Sequence, residues 1–263
     1  MPPSPSTSRS KRLPLVLGAL VAVAALLIVA VIALPASLVG SVLPAGVKAS
    51  DFSGGLWHGA AGRVLVNGQD CGALEWYLHP GELPHLALGV DATWAKGTFS
   101  LTATGSVSPQ GLVLRAVNGG GAIEDLASLT GMPGWRGTAM VALDRVETDF
   151  SRLRALSGTI NVSGLHSPNI GNNDDLGGYT LRFAPPAGAA NGDITARLGD
   201  TGGPLEVDAI LQMPGGGHTG TLTGTARERS QASGALRRSL EELARLSPRD
   251  AQGRVPLDVE FAY

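Results

Sequence analysis

The sequence predicts a mainly β protein: one N-terminal transmembrane helix, then an extended, twisted antiparallel β-sheet domain with a few short helices. Three observations predict it. Glycine accounts for 37 of 263 residues, about twice its usual share. Short runs of apolar residues alternate with polar ones at period two, and turn residues recur about every eight to twelve positions. Finally, Leu15–Leu34 is a run of 20 residues without a charged, amide or hydroxyl side chain.

Residues 1–12 are Pro/Ser-rich and basic, which reads as a disordered cytoplasmic tail. Residues 13–34 are the transmembrane helix. At about 1.5 Å per residue the apolar run spans about 30 Å, the hydrocarbon thickness of a bilayer. Arg9, Lys11 and Arg12 precede it and only Lys48 follows closely, so the positive-inside bias keeps the N-terminus cytoplasmic. A cleaved signal peptide is the competing reading. Its apolar region is about 7–15 residues long, and Leu34-Pro35-Ala36-Ser37 fits a cleavage site poorly. Residues 35–46 form a linker containing Pro35 and Pro44, and residues 47–263 form the periplasmic β-rich domain.

In that domain Val64 and Val66, then Leu74, Trp76 and Leu78, flank Asn67-Gly68, a hairpin turn signature. Strands follow at Leu86–Val90, Gly97–Gly105 and Gly111–Val117, the last with Leu112, Leu114 and Ala116 on one face. Helices are expected at Ile123–Leu129, which opens with acids and closes before Gly131, and at Phe150–Leu156. Further strands are expected at Thr138–Leu143, Thr159–Gly164, Tyr179–Phe183, Ile194–Leu198, Leu205–Leu211, Thr219–Ala226 and Val255–Phe261. Gln231–Leu246, with Leu236, Leu240, Leu243 and Leu246 at helical spacing, is the best helix. Gly105 and Gly220, inside strands, suggest bulges or strong curvature. About ten to fourteen strands result, in one curved sheet or two packed halves.

Beyond the apolar run there are 17 basic residues against 22 acidic ones, since three of the 20 basic residues precede it. A mildly acidic domain without a basic patch argues against nucleic-acid binding. The single cysteine, Cys71, excludes an internal disulfide. No phosphate loop, zinc-protease helix or serine-nucleophile elbow occurs. Gly119-Gly120-Gly121 before a short helix reads as a strand-to-helix turn rather than a phosphate cradle. His58, His79 and His85 match no common metal spacing. Asn172, Asn173, Asp174 and Asp175 lack the alternation of a calcium loop. No catalytic residue, metal or cofactor is assigned.

The distinctive stretch is Phe52–Pro80, in which Trp57 and Trp76 flank a hairpin. It contains G-x-L-W-x-G (Gly54, Leu56, Trp57, Gly59) and then G-x-L-x-W-x-L-x-P (Gly72, Leu74, Trp76, Leu78, Pro80), followed by the Leu86–Val90 run. These residues resemble protein N of the bacterial type II secretion system, the GspN family. The resemblance is specific between Gly54 and Gly105 and architectural beyond. The sequence departs from the family at Gly81-Glu82-Leu83-Pro84, where a bulky apolar and a basic residue usually follow the proline.

The resemblance implies a non-enzymatic, single-pass protein of the bacterial inner membrane. Its partners would be the inner-membrane C, L and M proteins and the outer-membrane secretin. Gly54, Leu56, Trp57, Gly59, Gly72, Trp76 and Pro80 would then have structural or docking roles. The alternative is a membrane-anchored β-groove that binds or passes lipid, because alternating strands supply an apolar face equally well to a groove or a closed core.

Overall fold

The computed structural model describes residues 35–37, 40, 43, 46–81, 86–170, 174–185, 192–215 and 219–262. The expected tail and transmembrane helix, His85, Asn172 and Asn173 lie outside the described residues. Among the described residues no helix is long and apolar enough to cross a membrane.

Among the described residues thirteen strands form one sheet in strict sequence order, each antiparallel to its neighbours. They are β1 (Val47–Gly54), β2 (His58–Val66), β3 (Gln69–His79), β4 (Leu88–Lys96), β5 (Phe99–Ser108), β6 (Gly111–Ala122) and β7 (Arg136–Thr148). Then come β8 (Leu153–His166), β9 (Tyr179–Phe183), β10 (Ile194–Asp200), β11 (Leu205–Met213), β12 (Thr219–Glu228) and β13 (Val255–Ala262). A 3-10 turn, Ile123–Leu126, runs into one turn of helix, α1 (Ala127–Thr130), between β6 and β7; α2 (Gly234–Leu246) lies between β12 and β13. This is one continuous meander rather than two packed halves.

Period two in sequence becomes two unlike faces in space. One cross-strand row runs Phe52, Ala61, Leu74, Trp94, Leu101, Gly119, Val141, Ile160, Leu181, Leu198, Ala209, Gly224, Leu257. Every strand contributes one residue, and each is apolar or glycine. On the opposite face the next row along includes Glu75, Thr93, Thr102, Asn118, Thr159, Arg182 and Arg197. Among the described residues the apolar face buries three separate clusters. One gathers Ala36, Ala61 and Trp76 at the N-terminal end, and another Phe183, Ile194 and Ala196. The third, under α2, contains Tyr179, Val207, Leu236 and Leu240.

The Asn67-Gly68 hairpin forms as expected, both residues having positive φ (52° and 83°) as a type I′ turn requires. The best helix begins at Gly234 rather than Gln231, because the Ser233 hydroxyl accepts the Leu236 amide proton at 3.0 Å and caps it.

Several expectations need correction, and register slips explain two of them. Phe150–Leu156 is not helical. Asp149 Oδ1 accepts the amides of Ser151 and Arg152 (3.0 and 2.8 Å), Phe150 turns to φ 67°, and β8 begins at Leu153. Opposite Thr148 the register then slips past Arg154, so Leu153 and Leu156 both reach the Phe183 cluster. Their i,i+3 spacing mimics a helix. Likewise Ala116, at φ 50°, sits in a bulge of β6, so Val117 is buried and Ala116 exposed. Neither Gly105 nor Gly220 lies at a register shift; Phe261 lies across from Gly220, its ring filling the space a side chain there would take. Leu86 is exposed at a turn with φ 55°, and β4 starts only at Leu88. Gly119–Gly121 lie within β6, not in a strand-to-helix turn, where β5 and β7 pass too close for any Cβ.

Candidate functional site: the tryptophan corner and an apolar cavity

The sequence motif assembles one corner of the sheet. Gly54 ends β1 at φ 76°, and Gly55–Trp57 connects it to β2. The Trp76 indole N–H of β3 donates to the Leu56 carbonyl at 2.9 Å, and the Leu78 amide donates to the Trp57 carbonyl at 2.7 Å. The connection is thereby stitched to the third strand. Gly59 is required by close approach: a Cβ there would lie 2.7 Å from Trp76 Cζ2 and 2.5 Å from the Gly55 carbonyl. Trp76 is 7% exposed and packs with Ala36 and Ala61, whereas Trp57 and Leu56 are half-buried and Pro80 is exposed in a 3-10 turn.

Gly72 has a different task. At φ 89° its amide donates to Asp70 Oδ1 at 2.8 Å, and a Cβ would lie 2.2 Å from the Ala95 carbonyl. That amide, with Lys96 and Arg63 beside it, holds the Asp70 carboxyl below the usual carboxylate range. The Lys96 ammonium also donates to the Asp70 carbonyl at 2.7 Å, and Trp94 Nε1 donates to the Cys71 carbonyl at 2.6 Å. Gly54, Leu56, Trp57, Gly59 and Trp76 therefore meet at one corner, while Gly72 shapes a turn further along β3 and Pro80 lies exposed beyond its end.

The chemistry candidates do not converge. His58 and His79 flank the Tyr77 ring (centroids 5.7 and 4.5 Å), and His79 Nε2 lies 2.7 Å from Asp91. Among the described residues no three His, Cys, Asp or Glu side chains gather as a metal site. Asp174 accepts the Ser233 hydroxyl proton at 2.6 Å and so ties the chain before β9 to the N-cap of α2, while Asp175 accepts the Gly177 amide.

A second feature escaped the sequence reading. A cavity of about 450 Å³ lies on the apolar face over β8, β9 and β10, floored by Ile160, Val162, Leu181 and Leu198. Two excursions roof it: the β6–β7 connection through Met132 and Trp135, and the β8–β9 connection through Ile170 and Leu176. Its one hydroxyl, on Tyr179, donates to the Leu176 carbonyl at 2.7 Å. Burial, reinforced by Asp200 and Asp175 nearby, pushes that phenol up to about 12. The signal in the sequence was apolar side chains, Ile170 and Leu176, inside an otherwise polar loop.

Neither the curated proteins nor the solved structures contain a match to this chain. A family model described as type II secretion system (T2SS), protein N, matches residues 45–258, from just before β1 into β13. That span includes the Gly54–Pro80 motif and extends the likeness well past Gly105. The chain belongs to the type II secretion system protein N family.

Proposed function

We propose that this chain is a non-enzymatic, single-pass inner-membrane subunit of the secretion system. In this reading Leu15–Leu34 anchors it, and the sheet works in the periplasm to connect inner-membrane components. The observation that carries the reading is the family match over a meander that does not close. Among the described residues β13 pairs only with β12, and β1 pairs with β2 and, at its Gly54 end, takes the Ala36 amide. Unpaired strand edges accept another strand through backbone hydrogen bonds. On β13, Asp258 and Glu260 stand opposite Thr223 and Thr221, which suits a partner strand with basic residues on that face. The C, L and M proteins are the expected partners, with the secretin as a further one.

Affinity capture of the full-length chain from solubilised membranes of a secreting cell is the test. Recovery of a C, L or M protein, reduced by Asp258→Lys with Glu260→Lys, supports the reading. Capture of the folded chain with no secretion component defeats it. A second reading, a sheet that binds or passes lipid, is supported by one observation: the apolar row that crosses all thirteen strands.

A further inference from the structure

We propose that the cavity over β8–β10 holds an acyl chain of a zwitterionic membrane phospholipid. Its volume, about 450 Å³, falls within the range of small-ligand sites. Its lining side chains are aliphatic, methionine or aromatic, and its one hydroxyl is already committed to the Leu176 carbonyl. Such a surface gains free energy by excluding water and offers a polar ligand nothing.

The chemistry of the rim selects the head. Trp135 lines both the cavity and an adjoining polar notch formed with Glu124, Arg136, His166 and Ser167. Glu124 accepts the Gly137 amide proton, and His166 Nδ1 lies 2.8 Å from the Gly164 carbonyl, so both are held at the rim. The Glu124 carboxylate and the Arg136 guanidinium offset each other's charge in this notch, which favours a zwitterionic head over an anionic one.

The source of the lipid follows from where the chain enters the sheet, and this step rests on the membrane-anchor reading above. The apolar run ends at Leu34, and the next residue, Pro35, bridges Gly55 while Ala36 packs on Trp76. The first strands are thus within a few residues of the bilayer, and the apolar row begins there. It passes from Leu74 to Trp94, Leu101, Gly119 and Val141 and arrives at Ile160 on the cavity floor. A chain leaving the membrane meets no polar residue along that row.

The test places a photo-crosslinking residue, p-benzoylphenylalanine, at Met132 on the cavity rim of the full-length chain in its membrane. A control carries it at Arg182 on the opposite face. After irradiation, intact-mass analysis reads the adducts. A phosphatidylethanolamine adduct at Met132 and not at Arg182 is expected. Ile160→Trp, which fills the floor, is expected to lower it on the order of tenfold, as excluding about two methylenes would. Leu198→Phe is the second variant, should Ile160→Trp lower the melting temperature.

Equal adducts at both positions, none at Met132, or adducts confined to anionic lipid would overturn the proposal. So would a crosslink from Met132 to Leu15–Leu34 or to another protein. Alkaline extraction of the same membranes tests the anchor separately. If the chain is released, the crosslink is read on the released chain with phosphatidylethanolamine–phosphatidylglycerol vesicles, and the same outcomes apply.

Discussion

At the N-terminal end of the sheet, order depends on one large side chain and a few bonds to backbone. Trp76 fills the space Gly59 leaves, and its indole holds Leu56 in place. At the C-terminal end a helix lies over the same face. Leu236 and Leu240 of α2 pack on Tyr179, Val207, Ala209 and Ala226, and Val255, fully buried, pairs with Ala226. Ion pairs rim that end, among them Arg229–Asp200 at 2.7 Å and Arg249–Glu228 at 2.9 Å. The contrast teaches that a meander pairing only sequence neighbours does not share its stability evenly. Like a repeat array, it transmits order strand by strand, so each end must be finished locally.

The sharpest way to break that comparison is to truncate both anchors. Trp76→Ala is expected to cost about 3–5 kcal/mol and Leu236→Ala about 2–5 kcal/mol, through lost burial and the cavity left behind. Hydrogen exchange on the full-length chain separates them. Trp76→Ala should expose β1–β3 amides and leave β9–β12 protected, and Leu236→Ala should do the reverse. Uniform loss of protection in either variant would show one cooperative body and remove the distinction.

A smaller effect is expected from adding a single methyl group at the corner. In Gly59→Ala the new Cβ would meet Trp76 Cζ2 at 2.7 Å and the Gly55 carbonyl at 2.5 Å. Overpacking of this kind costs about 1–3 kcal/mol. Indole fluorescence should shift as Trp76 is displaced, with the C-terminal end unaffected. An unchanged spectrum and midpoint would mean that Gly59 is not what makes room for Trp76.

How much of this was legible depended on whether the backbone kept its period. The Asn67-Gly68 turn, the strands at Tyr179–Phe183 and Leu205–Leu211 and the leucines of α2 were readable because alternation or helical spacing ran unbroken. β1 was hidden because Asp51, at φ 58°, interrupts the pairing between Ser50–Arg63 and Phe52–Ala61. The slip at Arg154 gave a strand a helix's spacing, and that at Ala116 moved burial onto Val117. The tryptophan corner was visible as a local motif spanning fewer than 30 residues. The cavity was not, since its walls come from Ile123 to Leu205 and only the sheet register brings them together.

The finest test of the C-terminal end is alkaline pH, because Tyr179 sits where the cavity and the helix-covered core meet. Burial raises its folded pKa to about 12, against an ordinary value near 10.0. The folded state therefore holds its proton more tightly than the unfolded chain does. That contribution to stability is full below about pH 10 and is lost as pH rises through about 12. Denaturation midpoints should fall across that window. Tyr179→Phe should flatten the fall, at a cost near neutral pH of about 0.5–1.5 kcal/mol for the hydrogen bond to Leu176. A Tyr179→Phe chain that keeps the same alkaline slope would place the titrating group elsewhere and leave the two ends of the sheet less distinct than their packing implies.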